Sequence, residues 1–342
     1  MKEDTKRANS TILWLLIMIV LLLIIAFGIT LLTKSDETSV GTNNVEISAT
    51  SELETESIPA ESELSVTDTS YESETEHFDG LNIYDSEIYS DTALLMSIDG
   101  DELYSKNGKE RMYPASLTKI MTAIVALENI SYLDESVVIP GDIFEYIEYE
   151  EAATAGFSAY ENVTYRDLLY GALLSSGAEC CLTLADYLGG SEEMFVQMMN
   201  EKAAELGMEN THFTNVIGLH NYEHYSTAED IAVLLIYALD NDEFREIFTS
   251  KNYYTETDYQ PYGVTLGSTM FSELDTEYFT GGAFLGGKTG YTSEAGYCLA
   301  SLARVNGKEY ILITAGAENS DYMGSLRITD AVTIYETLAE NT

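Results

Sequence analysis

The sequence predicts an α+β fold, in which a sheet assembled from distant parts of the chain packs against a mainly helical lobe. Three observations carry this expectation. Short apolar runs separated by tight-turn dipeptides occur near Thr92 and again beyond Gly286, apolar residues recur at three- and four-residue intervals between them, and no internal repeat is present.

Ahead of that region, residues 12–32 read ILWLLIMIVLLLIIAFGITLL and carry no charge. At about 1.5 Å per helical residue they span roughly the 30 Å hydrocarbon layer, so a transmembrane helix is expected. A cleaved signal peptide is the competing reading, but its apolar core is usually only about 7–15 residues long and ends at a small-residue site. Lys2, Lys6 and Arg7 precede the span, and only Lys34 follows it before a long acidic stretch. That asymmetry leaves residues 1–11 in the cytoplasm and the rest outside, as a single-pass protein of the cell membrane. Residues 33–80 are mostly Ser, Thr and Glu and bury too little apolar surface to fold, so a disordered, self-repelling linker is expected there.

Of the formal charge of −42, residues 1–34 carry +2 and residues 35–80 carry −13, so −31 remains on residues 81–342. Such a surface repels nucleic acid, which is excluded as a partner. Residues 81–342 are expected to form one globular unit. Thr92–Ile98, Asp99-Gly100-Asp101 and Glu102–Ser105 read as a hairpin, since Asp-Gly supplies the positive φ angles of a tight turn. Helical spacing follows in Ser116–Glu128, Tyr165–Leu188, Glu192–Leu206 and Thr227–Ala238. Strands return at Gly286–Tyr291, Tyr297–Arg304 and Lys308–Ala315, with Asn306-Gly307 as a second hairpin turn, and a helix over Ser325–Leu338 closes the chain.

The strongest chemical signal is Tyr113-Pro114-Ala115-Ser116-Leu117-Thr118-Lys119 at the start of a helix. Residues three apart share a helix face, so Lys119 can reach the Ser116 hydroxyl. An amine activates a hydroxyl only when its pKa is pulled below about 10.4, which burial or a neighbouring cation achieves. Lys288, in Gly287-Lys288-Thr289-Gly290-Tyr291, supplies such a cation, and with Thr289 it suits a terminal carboxylate. The backbone N–H groups of Ser116 and Tyr291 are oxyanion-hole candidates. Ser-x-x-Lys or Lys-Thr-Gly alone arises by chance; both, in this order and on these elements, form a specific pair.

With those motifs the chain resembles the low-molecular-mass penicillin-binding proteins, serine-type D-Ala-D-Ala carboxypeptidases. The resemblance covers most of residues 82–342 and rests on PASLTKIMTA (Pro114–Ala123), LLSSGAE (Leu173–Glu179), GLHNYEHYSTAEDIA (Gly218–Ala232) and GGKTGYTSEAGYCL (Gly286–Leu299). It implies a β-lactamase/DD-peptidase-like fold, a mainly antiparallel five-stranded sheet flanked by helices plus a helical lobe. It also implies Ser116 as nucleophile, Lys119 as its base, Ser176 as a proton-passing hydroxyl, and Lys288, Thr289, Gly290 and Tyr291 as substrate-binding residues. The substrates implied are peptidoglycan stem peptides ending in D-Ala-D-Ala, with β-lactam antibiotics as inhibitors and no cofactor or metal.

One departure stands out. The family's middle motif, usually Ser-x-Asn, aligns with Ser176-Gly177-Ala178, so the amide that holds a substrate carbonyl is missing, and Glu179 or another side chain not identified from the sequence is the expected stand-in. A catalytically weak penicillin-binding or wall-binding protein is the alternative that Ala178 raises, and a serine β-lactamase, which shares Ser-x-x-Lys and Lys-Thr-Gly, is the other. His224 is expected to be a structural hydrogen-bonding residue. Cys180, Cys181 and Cys298 read either as small buried hydrophobes or as one bond from Cys298 to the adjacent pair. The tyrosines from Tyr253 to Tyr262 read as cleft lining or as loop packing.

Overall fold

The structure, a computed structural model, describes residues 81, 83–320 and 324–342. The expected membrane span and acidic linker lie outside the described residues. Among the described residues no helix is long and apolar enough to cross a membrane.

The first half of the chain forms β1 (Thr92–Ser97), β2 (Glu102–Lys106), α1 (Thr118–Asn129), β3 (Ser136–Val138), α2 (Ile143–Tyr149), β4 (Asn162–Thr164), α3 (Tyr165–Leu173), α4 (Ala178–Gly189) and α5 (Glu192–Glu205). The second half adds α6 (Ala228–Leu239), α7 (Asp242–Thr249), β5 (Asn252–Thr255), β6 (Val264–Gly267), α8 (Thr269–Ser272), β7 (Tyr278–Phe279), β8 (Gly282–Thr292), β9 (Gly296–Val305), β10 (Lys308–Ala317) and α9 (Leu326–Asn341).

The main sheet runs β2-β1-β10-β9-β8-β7, and every neighbouring pair is antiparallel. It has six strands where five were expected, because the two-residue β7 adds a short edge beside Gly282 and Ala283. Both hairpin turns form where the dipeptides place them. Gly100 has φ 94°, and Asn306 and Gly307 have φ 47° and 83°, the left-handed pair that an Asn-Gly turn supplies.

The central strands read as nearly unbroken apolar runs because both faces of the sheet are covered. Leu94, Ala300, Leu302, Ile311 and Ile313 face the larger core with α1 and α3 to α7, whereas Leu95, Leu299, Ala303, Val305 and Leu312 face α9 through Ile334, Tyr335 and Leu338. Asp330 on α9 accepts hydrogen bonds from the N–H groups of Tyr89 and Ser90 and from the Ser90 hydroxyl, pinning the entry to β1 onto the last helix.

The helix expected over Tyr165–Leu188 is two helices. Apolar spacing continues through residues 174–177, but Ser176 has φ 61°, which ends an α-helix and costs about 1–2 kcal/mol for a residue with a side chain. The break turns Ser176 out toward the cleft between the helical lobe and the sheet.

Candidate active site

The nucleophile turn is built by local strain and a close approach. Ala115 has φ 45° and opens a short 3-10 turn, Ala115–Leu117, which delivers Ser116 just ahead of α1. A Cβ added to Gly218 would lie 2.0 Å from the Ala115 carbonyl oxygen, so only glycine lets this segment press on the turn. The same holds on the other side, where a Cβ on Gly290 would lie 3.0 Å from the Ser116 nitrogen. Strand β8 therefore passes directly beside the candidate nucleophile.

Lys119 Nζ lies 3.1 Å from Ser116 Oγ and donates to the Ile217 carbonyl at 2.5 Å. The side chain is buried, and burial is the largest cause that pulls its pKa below the ordinary lysine value, against opposing pulls from Cys181, Glu179 and Cys180. With one N–H held by Ile217, an uncharged amine can turn its lone pair to the serine hydroxyl.

Lys288 departs from the sequence reading. It is fully buried, and it donates to Ser176 Oγ at 3.0 Å and to the Thr289 carbonyl at 2.7 Å. Its own pKa is pushed well down, by burial first and by the charge of Lys119 next. The expected order of influence is thus reversed: burial depresses Lys119, and Lys119 depresses Lys288. Lys288 supports Ser176 from behind and does not reach the cleft surface.

The cleft opens into a cavity of about 630 Å³ lined by Ser116, Lys119, Ser176, Thr289, Gly290 and Tyr291, among others. A neighbouring cavity of about 670 Å³ shares Tyr291, Ser293 and Glu294 with it. Thr289 Oγ1 sits 2.6 Å from Thr269 Oγ1, and Tyr291 stands 56% exposed at the rim. The sequence reading missed Arg327, which lines the same cavity from the start of α9. Its guanidinium donates to the Gly290 carbonyl at 2.8 Å, to the Cys298 carbonyl at 3.2 Å and to both carboxylate oxygens of Glu273. No local motif marks it, since its partners lie decades of residues upstream.

A profile of the D-alanyl-D-alanine carboxypeptidase family matches residues 79–319. A Bacillus subtilis D-alanyl-D-alanine carboxypeptidase, DacF, is 34% identical over 66% of this chain and 57% of its own length. A Streptomyces D-alanyl-D-alanine carboxypeptidase is 33% identical over 62% of this chain and 75% of its own. The chain belongs to the D-alanyl-D-alanine carboxypeptidase family. Its fold agrees: the crystal structure of a Streptomyces DD-transpeptidase superposes with a TM-score of 0.62 at 29% identity, over 74% of this chain and 97% of that one. A D-alanyl-D-alanine carboxypeptidase from Mycobacterium tuberculosis gives 0.65 at 25% identity, over 79% and 96%. The chain spans less than two thirds of the length of the Bacillus relative.

Against this family background the middle motif stays incomplete. Ala178 is buried at the first turn of α4, and its N–H goes to the Ala153 carbonyl at 2.8 Å. Glu179 does not replace the missing amide in the cleft, because one of its carboxylate oxygens accepts the N–H groups of Ala155, Gly156 and Phe157. His224 is structural: the Thr214 N–H donates to Nδ1 at 3.0 Å, which leaves Nε2 to donate to Thr118 Oγ1 at 2.8 Å. Burial lowers its pKa to about 4, so the ring is neutral near pH 7.

Cys180, Cys181 and Cys298 are free and buried, with burial pushing the Cys181 and Cys298 thiols up to about 11 and about 12. They pack as hydrophobes and are poor nucleophiles in that state. Tyr253 stacks on Tyr170 at 3.8 Å and donates to Asp167, so this part of the tyrosine run is loop packing.

Proposed function

We propose that this chain is a serine D-Ala-D-Ala carboxypeptidase that removes the terminal D-alanine from peptidoglycan stem peptides. The observation that carries the reading is the buried Lys119 amine, 3.1 Å from Ser116 Oγ, with its pKa held down by burial. Ser116 Oγ attacks the carbonyl carbon of the penultimate D-alanine while Lys119 accepts its proton. The backbone N–H groups of Ser116 and Tyr291 receive the developing oxyanion. The C–N bond then breaks, and the departing amine takes a proton from Lys119 by way of the Ser176 hydroxyl. Water attacks the Ser116 ester in the second half, Lys119 again takes the proton, and the acyl product leaves with the serine regenerated.

Thr289 and Arg327, which both line the cavity, are the donors for the substrate's terminal carboxylate, and Lys288, its pKa pushed well down by burial, holds Ser176 from beneath. β-Lactams would acylate the same serine and be released slowly. Rapid release would instead favour the serine β-lactamase reading, so the lifetime of the adduct separates the two. The uncharged span at residues 12–32 and the charge bias around it support single-pass anchoring in the cell membrane, with the catalytic domain outside. Protease treatment of intact cells tests that arrangement: digestion of the domain supports it, and full protection overturns it.

The test of the chemistry is intact mass measurement of residues 81–342 after incubation with benzylpenicillin. A single adduct mapping to Ser116, lost in Ser116→Ala, is expected. An adduct that survives Ser116→Ala overturns the assignment.

A further inference from the structure

Glu179 is a fully buried carboxyl group in the helical lobe, and burial raises its pKa above the ordinary carboxylate value. Its side chain has no solvent exposure, yet among the described residues only Oε1 is partnered; Oε2 is buried and makes no hydrogen bond to any of them. Buried polar atoms in proteins are nearly always paired, so one left over calls for a reason. The reason offered by the geometry is the loop held by the other oxygen. Oε1 takes the N–H groups of Ala155, Gly156 and Phe157 at 2.7, 3.0 and 3.3 Å, three consecutive donors on one atom.

That loop continues directly from Glu150, Glu151, Ala152 and Ala153, which form a wall of the nucleophile cavity. A second tie reinforces the first, since the Ala178 N–H bonds the Ala153 carbonyl at 2.8 Å. The two sides also touch with no slack: a Cβ on Gly177 would lie 2.8 Å from Ala155 Cβ and 2.9 Å from Glu179 Oε2. On the other side of Gly177 is Ser176, held at φ 61° and bonded to Lys288. The carboxylate, together with the Ala178 N–H, thus fixes the loop behind the cavity wall to the turn that presents the proton-passing hydroxyl.

We infer that Glu179 is a positioning residue for the peptidase reaction, strapping the Ala155–Phe157 loop, which continues from the Glu150–Ala153 wall of the cleft, to the Ser176 turn and so setting the cleft's width. This rests on the function proposed above. It acts through backbone groups and touches no substrate, and it takes up the task of keeping the cleft in shape where Ala178 supplies no side-chain amide.

The experiment compares the wild-type domain with Glu179→Gln, Glu179→Ala and Gly177→Ala. It measures the rate of acylation by fluorescent penicillin, kcat and KM for D-alanine release from a diacyl-D-Ala-D-Ala peptide, and amide hydrogen exchange over residues 150–157. Glu179→Gln keeps an oxygen acceptor of the same reach, so it should acylate within about threefold of wild type. Glu179→Ala should acylate at least about tenfold more slowly, with a raised KM and faster exchange confined to 150–157, as expected when a positioning contact is lost. Gly177→Ala covers the case in which Glu179→Ala fails to fold. Gly177 has φ −61°, which alanine adopts, and the added methyl pushes on the same contact from the opposite side. It should slow acylation without the loss of a buried charge.

Equal rates for wild type and both alanine variants would overturn the inference. So would a Glu179→Gln variant as slow as Glu179→Ala, because the charge and not the strap would then matter. If the wild-type domain itself neither labels nor releases D-alanine, the fault lies with the proposed function and not with the strap.

Discussion

Two buried lysines, one at the start of α1 and one in the middle of β8, share a residue type and a buried setting but face different neighbours. Lys119 meets a hydroxyl at the cavity and a carbonyl that occupies one of its N–H bonds. Lys288 meets a second hydroxyl and a carbonyl beneath the cavity floor. Burial pulls both toward the neutral amine, but only the lysine beside the attacking oxygen can turn that neutrality into nucleophile activation. The other acts on a hydroxyl that hands protons on. Desolvation prepares an amine; its nearest oxygen decides what the amine is for.

The sharpest way to break this comparison is to remove each lysine in turn. Lys119→Ala should lower penicillin acylation by about 10³-fold or more, in the range expected when a general base is lost. The wild-type acylation rate should rise with pH through a Lys119 pKa that lies below the ordinary lysine range of about 10.4. An acylation rate that does not change with pH across that range would show that the amine is not the base. Lys288→Ala should cost less, about 10- to 10²-fold in D-alanine release, because it perturbs the support of Ser176 and leaves the attacking pair intact. Equal losses in both variants would erase the distinction.

His224 provides a third buried titratable group, this one without access to the cleft. Its folded pKa of about 4 is below the unfolded value of about 6.5, so the unfolded chain binds the extra proton between those two values. Stability should therefore fall as pH drops from about 6.5 to about 4, by up to about 3 kcal/mol. Denaturant melts of wild type and His224→Gln across that window check this; parallel curves would contradict it. The smallest effect is expected at Ala178. Ala178→Asn should raise D-alanine release by about tenfold, or about 1.4 kcal/mol in transition-state stabilisation, provided the first turn of α4 yields enough room for the amide. A fall in rate would mean that the buried packing at this position matters more than the missing donor.

The parts of the site that the sequence revealed are those that depend on spacing along one element. Ser116 and Lys119 lie three apart on a helix start, and Thr289, Gly290 and Tyr291 follow one another on a strand, so their geometry is written locally. Both hairpin turns were legible for the same reason. What stayed hidden depends on tertiary contact. Nothing near Lys288 says that both faces of its strand are covered, so a residue that looked like a cleft cation proved to be a buried one. Arg327 belongs to the last helix and meets the cleft only because α9 packs under β8 and β9. The split between α3 and α4 was masked by apolar spacing that continues through the turn, although Ser175-Ser176-Gly177 carried the composition of a break. Glu179 looked like a substitute ligand and turned out to face a loop.

The strand order also has a meaning in time. Thr92 pairs with Ala315, so β1, among the first elements of the domain to be made, has no neighbour on its inner side until β10 arrives near the end. Gly290 and Arg327, which frame the Ser116 turn, are likewise supplied late. Contacts this distant in sequence form slowly. Ser116 is synthesised early, but the Gly290 backbone and the Arg327 side chain that frame its turn join it only after β8 and α9 have been made.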